Sequence, residues 1–288
     1  MPVTRAAVFA SVVIAWGVSM IAAPGEQDPI FSEAQAYERF MGRWSRALAP
    51  QLVRFAAVRD GDAMLDVGSG TGALTEALAS AAPSSRIVGI DPAAPYVALA
   101  QARQGNARVR FEVGDAQKMR FENATFDRTL SLLVVNFIPD ATKALDEMKR
   151  VTRPGGTIAA AVWDYGEGME MLRVFWDEAV ALDPASEARD ERHMPLCRRG
   201  DLAALWRARG LQTVFEEGLT IQTRFASFDD FWSPFLEKQG PAGAFVASLS
   251  RSRRDALEAR LRRRLIGEGP DRPFVLSARA WAVRGLVP

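Results

Sequence analysis

The chain has 288 residues, 36 Lys+Arg against 35 Asp+Glu, 48% apolar residues and 25% charged ones. This is globular composition; it excludes a disordered chain and argues against a surface built throughout for nucleic acid, so no nucleic-acid partner is expected. The single cysteine, Cys197, excludes an internal disulfide, and the single histidine, His193, excludes a His-rich metal centre. No metal is expected, and a Ser-His-Asp hydrolase would have to rest on His193 alone.

Residues 6–25 carry no charge and follow Arg5. About 20 such residues just suffice to span a bilayer, and no convincing small-x-small cleavage site follows them. Residues 1–25 thus form an apolar leader with three readings: a membrane anchor through residues 6–23, a secretory signal, or a start assigned too far upstream. Residues 26–288 read as one domain.

The first helical stretch runs from Ile30 to Val58. Ser32 and Gln35 have capping-box spacing, and Tyr37, Phe40, Met41 and Trp44 recur on one helical face. Pro50 is expected to restart the helix. Short β-branched runs then alternate with helical segments. The strands are expected at 63–67, 86–90, 108–113, 126–135 and 157–163, with helices at 74–82, 92–104 and 141–152 between them. That order implies right-handed βαβ units and a parallel sheet. Pro154-Gly155-Gly156 reads as a turn between the last helix and its strand. A further helix at 201–209, a strand at 211–217 and a terminal strand at 274–283 complete the pattern. Segments near 30–50, 166–199 and 227–270 break the alternation and read as a helical cap on the carboxyl edge of the sheet.

Leu65-Asp66-Val67-Gly68-Ser69-Gly70-Thr71-Gly72 leaves the first strand and opens a helix. Gly68-x-Gly70-x-x-Ala73 satisfies a dinucleotide fingerprint, so an NAD(P)-dependent oxidoreductase stands as one reading. Asp66 argues for another, because a carboxylate there repels a pyrophosphate and attracts a ligand carrying an ammonium and a sulfonium. Asp91 ends the second strand, where a carboxylate can accept both ribose hydroxyls. Asp115 ends the third, where it can accept from an exocyclic amine. Each position also has a plain alternative: the glycines as a strand-to-helix turn, Asp91 as a cap for the helix begun by Pro92.

Taken jointly, Leu65 to Thr75, Ile87 to Pro92, Gly114 to Ala116, Phe126-Asp127 and Arg153 to Gly156 resemble class I S-adenosylmethionine-dependent methyltransferases. The small-molecule group that includes quinone-biosynthesis C-methyltransferases is the most similar. The resemblance covers Tyr37 to Asp164 closely and the terminal strand loosely. It implies an α/β, Rossmann-like, seven-stranded, mostly parallel sheet whose last strand is antiparallel. It also implies S-adenosylmethionine as cofactor. Asp66, Gly68, Gly70 and the neighbouring Gly72 would face its methionine end, Asp91 its ribose, and Asp115 with Ala116 its adenine. Asn136 would border the sulfonium.

Methyl transfer from a sulfonium is an in-line displacement, which alignment and desolvation can accelerate without a covalent intermediate. The sequence need not advertise a base. His193 and Asp164 are the candidates, each with a structural alternative: His193 as a hydrogen-bonded residue, Asp164 as a loop cap. Phe225, Phe228, Phe231, Trp232 and Phe235 form a stripe of mainly core residues. One or two of its rings, such as Trp232, are expected to line an acceptor pocket with Tyr37, Met41 or Trp44. Seven arginines between Arg251 and Leu265 read as a solvated helix face. The expected activity is methyl transfer to a small, partly apolar organic acceptor; a cofactor-binding protein without turnover is the remaining alternative. S-adenosylmethionine is a cytosolic metabolite, so the domain is expected in the cytoplasm, free or tethered by the leader.

Overall fold

The computed structural model describes residues 34–288. The leader and the helix start at Ser32 lie outside them. The chain enters as α1 (Ala34–Tyr37), widens into a π turn (Glu38–Gly42) and continues as α2 (Arg43–Phe55). Pro50 does not restart the helix; it sits inside α2 on the exposed face. The hydrogen bond it forfeits lies on the solvent side, where water can satisfy the freed carbonyl.

Next come β1 (Ala63–Val67), α3 (Ala73–Ala81), β2 (Arg86–Asp91), α4 (Ala94–Arg103), β3 (Val109–Val113) and β4 (Phe126–Leu132). α5 (Ala141–Val151) leads into β5 (Thr152–Trp163), and α6 (Glu170–Leu182), α7 (Asp201–Ala208) and β6 (Gln212–Phe225) follow. The chain ends with α8 (Phe228–Trp232), α9 (Gly240–Ser248), α10 (Arg251–Ile266) and β7 (Phe274–Leu286). The seven strands lie in the order β3-β2-β1-β4-β5-β7-β6, with β7 antiparallel to both its neighbours and the other six parallel. The sheet is therefore Rossmann-like with an antiparallel last strand. Central strands covered on both faces favour apolar side chains throughout, which is why β1, Asp66 apart, and β5 from Ile158 to Trp163 read as hydrophobic runs.

Three elements depart from their expected bounds. β4 stops at Leu132, and Val135–Phe137 forms a 3-10 turn instead of more strand. β6 extends to Phe225 because it pairs with nearly the whole of β7. Arg153 to Gly156 lies within β5 at a register shift. There Arg153 Nη1 donates to Asp127 Oδ1 at 2.6 Å, and Ala63 N–H donates to Asp127 Oδ2 at 2.8 Å. Asp127 and Arg153 thereby lock together the first residues of β1, β4 and β5. Their place in the motif is structural.

The segments between β5 and β7 contribute much of the cap. Phe175 of α6 stacks on Phe235 at 4.6 Å, Phe40 meets Phe235 at 5.3 Å, and Trp44 meets Phe225 at 5.3 Å. Phe225, Phe228, Phe231, Trp232 and Phe235 are all buried, so the stripe is cap core. The arginines of α10 are largely paired: Arg260 and Arg264 with Glu178, Arg253 with Asp183, Arg263 with Glu268. Among the described residues no helix is long and apolar enough to cross a membrane. Nor do three or more His, Cys, Asp or Glu gather there to hold a metal ion.

Candidate functional site

The strand order reverses between β1 and β4, and ligands of open α/β sheets bind at such a switch point, outside the carboxyl ends of the strands. The glycine loop stands there. Gly68 and Ser69 donate their N–H groups to Ile90 O at 2.8 and 2.9 Å, which pins the loop on the end of β2. Gly68 has φ +73°, and a Cβ on it would come within 2.4 Å of Val134 Cγ1. Only glycine fits that approach. Gly70 has φ +52° with open space where its Cβ would be, and Gly72, φ +97°, precedes α3 as its N-cap.

Asp91 is buried at the end of β2. Its Oδ2 accepts Gly70 N–H and its Oδ1 accepts Ala93 N–H, both at 2.9 Å. Asp91 thus orders the loop and holds the N–H of Ala93, the residue that leads into α4, and each oxygen keeps acceptor capacity for a further hydroxyl. Burial raises its carboxyl to about 6, against the lowering effect of those two N–H groups. Asp115 is exposed beyond β3 and accepts Gln117 N–H at 2.8 Å; Ala116 beside it is half-buried.

Asp66 lies beneath the loop, wholly buried in a central strand. Thr75 Oγ1 donates to its Oδ2 at 2.6 Å, and its Oδ1 has no partner. Burial raises this carboxyl to about 7, with the Thr75 bond opposing and the Asp91 charge adding to the rise. A half-satisfied carboxylate costs the fold free energy, and such sites mark function more often than packing. Folded Asp66 holds its proton more tightly than the unfolded chain does. Its contribution is therefore complete below about pH 4 and is lost as pH rises through about 7. Asp66→Asn should match the parent in thermal stability near pH 4 and exceed it at pH 8. The same substitution should lower affinity for a cationic cofactor by roughly tenfold, the loss of one charged partner. Melting curves at the two pH values and calorimetry check both arms; parallel falls in stability and affinity would assign Asp66 to packing.

Leu133, buried at the end of β4, has φ +64°, a left-handed conformation that costs a non-glycine residue of order 1–3 kcal/mol. The kink turns Val134 onto Gly68 and sets Asn136 beyond it. Asn136 is 4% exposed, and its amide completes no hydrogen bond of full geometry, with the Tyr165 hydroxyl in bonding reach of one end. It lies against Tyr165, which follows β5 and is also buried. Tyr37 from the cap is within electrostatic reach of both Asp91 and Tyr165. Tyr37, Asn136 and Tyr165 thus continue from Asp91 toward the cap.

The other candidates lie elsewhere. His193 is exposed at the end of a 3-10 turn. Asp164 is taken by Arg279, whose Nε and Nη2 lie at 2.9 and 2.5 Å from Oδ2, while Oδ1 caps the loop through Glu167 N–H. Its arrangement is that of a loop cap. Met41, Trp44 and Trp232 are buried, the two tryptophans packed on Phe225 and Phe235. Cys197 is buried, with its thiol pushed up by burial and by the Glu191 charge, the opposite of an activated nucleophile. A groove of about 430 Å³ between α6, α10 and the start of β7 is lined by Glu170, Arg173, Arg264 and Phe274 and by none of the glycine-loop residues.

Three residues at this edge were not among the sequence candidates. Glu38, in the π turn, accepts from Thr71 Oγ1 and pairs with Arg46 and Arg103, so the cap is tied across the glycine loop. These bonds outweigh its burial and hold its carboxyl below the ordinary value. Tyr165 and Glu191 are the others. A π turn interrupts helical spacing and is a frequent companion of functional sites, but its sequence here is unremarkable.

Residues 65–160 match the family described as methyltransferase domain. Demethylmenaquinone methyltransferase of Deinococcus radiodurans is 34% identical over 117 residues, 40% of this chain and 47% of that protein. The matched segment is a class I S-adenosylmethionine-dependent methyltransferase domain. An uncharacterized protein of Mycobacterium tuberculosis is 29% identical over 203 residues, 68% of this chain and 73% of its own length. The solved structure of Haemonchus contortus phosphoethanolamine N-methyltransferase 2 with S-adenosyl-L-methionine shares the fold at TM-score 0.54 and 22% identity. That match covers 88% of this chain and 56% of that one. The cofactor of this methyltransferase is S-adenosylmethionine. The residues present fit it: a buried acid at the ribose strand end, open space above Gly70, and the orphaned oxygen of Asp66 beneath the loop. The nicotinamide reading rested on the glycine fingerprint and Asp91, and the relatives named above give it no support.

Proposed function

We propose that this methyltransferase passes the methyl group to a small organic acceptor with a largely apolar body, by in-line displacement within the closed cap. The observation that carries the reading is Asn136. Its buried amide, which the Tyr165 hydroxyl can satisfy at only one end, stands at the kinked end of β4, beside the glycine loop and under an aromatic cap. An amide left half-satisfied in that position suits a polar group arriving on a substrate. S-adenosylmethionine supplies an activated methyl on a sulfonium when bound. Asp91 would accept from its ribose, Asp66 would balance its positive charge, and Asp115 with Ala116 would border its adenine. The cap, tied down through Glu38 to Thr71, would exclude water from the transfer. The Deinococcus relative, by its name, methylates a demethylmenaquinone, an acceptor with a polar ring and an apolar tail, and that chemistry agrees with the cap composition. The paired arginines of α10 agree with the absence of a nucleic-acid partner, and the cofactor agrees with work on the cytosolic side.

Calorimetry with S-adenosylmethionine, S-adenosylhomocysteine and NADH tests the cofactor. Release of labelled methyl to a panel of small quinols, phenols and amines tests the acceptor. Binding of both adenosyl ligands with no response to NADH is expected, with turnover on at least one aromatic acceptor. NADH binding in their stead would sink the reading.

A further inference from the structure

Glu191 belongs to the 3-10 turn Glu191–His193 between α6 and α7, and it is 4% exposed. Trp176 Nε1–H donates to its Oε2 at 2.7 Å. No described donor reaches its other oxygen. Arg173 could neutralise it, but Arg173 is spent on Asp190, which Arg192 also holds at 2.7 Å. Glu191 is therefore a buried carboxylate with one hydrogen bond and no ion pair of its own. Its charge acts on the Tyr165 hydroxyl and the Cys197 thiol. Tyr165 in turn lies in bonding reach of the Asn136 amide, two residues from Val134, which packs on Gly68.

We infer that Glu191 is the acceptor-side carboxylate of this methyltransferase, and that it takes a hydrogen bond, and then the proton, from a hydroxyl or amine on the acceptor. The inference rests on the methyltransferase reading and goes beyond it by naming the reacting group. In the step, the lone pair of the acceptor oxygen or nitrogen forms the new bond to the methyl carbon. The carbon–sulfur bond breaks with its electron pair going to sulfur. The X–H proton passes to Glu191, and the sulfonium charge is discharged. Tyr165 and Asn136 would orient the acceptor. The groups that face Glu191 are the Trp176 indole and the Arg173 guanidinium from α6, Asp190 on its own turn, Tyr165 after β5, and Cys197. Burial raises the Glu191 carboxyl to about 7, against the lowering effect of Trp176 and Arg173 and with Asp190 adding to the rise. That value suits a base working near neutrality.

The test uses the full chain saturated with S-adenosylhomocysteine, with phenol, benzylamine and benzoate as probes in calorimetry. Phenol or benzylamine should bind the parent and bind Glu191→Gln roughly tenfold or more weakly, because a charged acceptor is lost. Benzoate should show the reverse preference, since its carboxylate meets repulsion only in the parent. Binding of the donor probe to the parent should strengthen as pH rises through about 7 and stay flat in the variant. The glutamine keeps an oxygen for the Trp176 indole, and Glu191→Asp, which draws the carboxylate back by one methylene, serves as a second variant should the first not fold. Phenol binding marks a hydroxyl acceptor, benzylamine binding an amine. Equal probe affinities in parent and folded variant would overturn the inference, as would no probe binding to the S-adenosylhomocysteine complex. Failure of S-adenosylhomocysteine itself to bind would instead overturn the underlying reading, and the inference with it.

Discussion

Asp91→Ala should weaken S-adenosylhomocysteine binding by about 1.5–3 kcal/mol, or roughly tenfold to more than a hundredfold, the range for hydrogen bonds to a charged acceptor. Two causes are separable. Asp91 holds the Gly70 and Ala93 N–H groups, so its loss loosens the loop as well as removing ribose contacts. A cofactor analogue lacking a ribose hydroxyl isolates the second cause. In the parent, removal of that hydroxyl should cost affinity; in Asp91→Ala it should cost little, because the partner is already gone. Equal losses in both proteins would show that Asp91 acts through the loop alone.

Gly68→Ala should be the more damaging substitution for the fold, at about 2–6 kcal/mol. That sum takes about 1–3 kcal/mol for a left-handed non-glycine backbone and a similar cost for overpacking. The new Cβ would meet both Val134 methyls and the Val134 Cβ at 2.4 to 2.8 Å, and the φ of +73° would persist. Val134→Ala in the same chain should return the share due to the two methyls and leave the backbone share and the 2.8 Å approach of the Val134 Cβ position. Urea unfolding of the two single variants and the double variant measures this. A strictly additive double variant would mean that Gly68 does not press on Val134. The contact matters beyond stability, because it fixes the kinked end of β4 that carries Asn136.

These two residues were legible before any fold was known. Asp91 and Gly68 sit within short motifs whose chemistry is local: a strand, a turn of fixed length and a helix. The alternating elements were legible for the same reason, since buried parallel strands print as apolar runs and their covering helices as periodic ones. All five expected strands before residue 164 appear in the sheet, three of them with nearly their expected bounds. Asp127 and Arg153 were legible as motif members but not as a lock, because 26 residues separate them and only sheet register brings them to 2.6 Å.

The rest depended on tertiary structure. His193 drew notice as the only histidine, yet its neighbour Glu191, two residues earlier on the same turn, is the one turned inward. Nothing in Asp190-Glu191-Arg192-His193 distinguishes the buried acid from the exposed imidazole. That choice is made by Trp176, whose indole N–H needs an acceptor, and by Arg173, which takes Asp190 and leaves Glu191 with none. Pro50 stays within its helix because packing puts it on the solvent face, and β6 grows to Phe225 because β7 is there to pair with it. By itself the sequence determined the sheet, the glycine loop and the placing of Asp66, Asp91 and Asp115 along or just beyond the first three strands, since each follows from periodicity or from spacing within a few residues. The acceptor side was decided only when segments far apart in the chain closed over the strand ends. Burial and partner choice there belong to the packed whole, and no single segment encodes them.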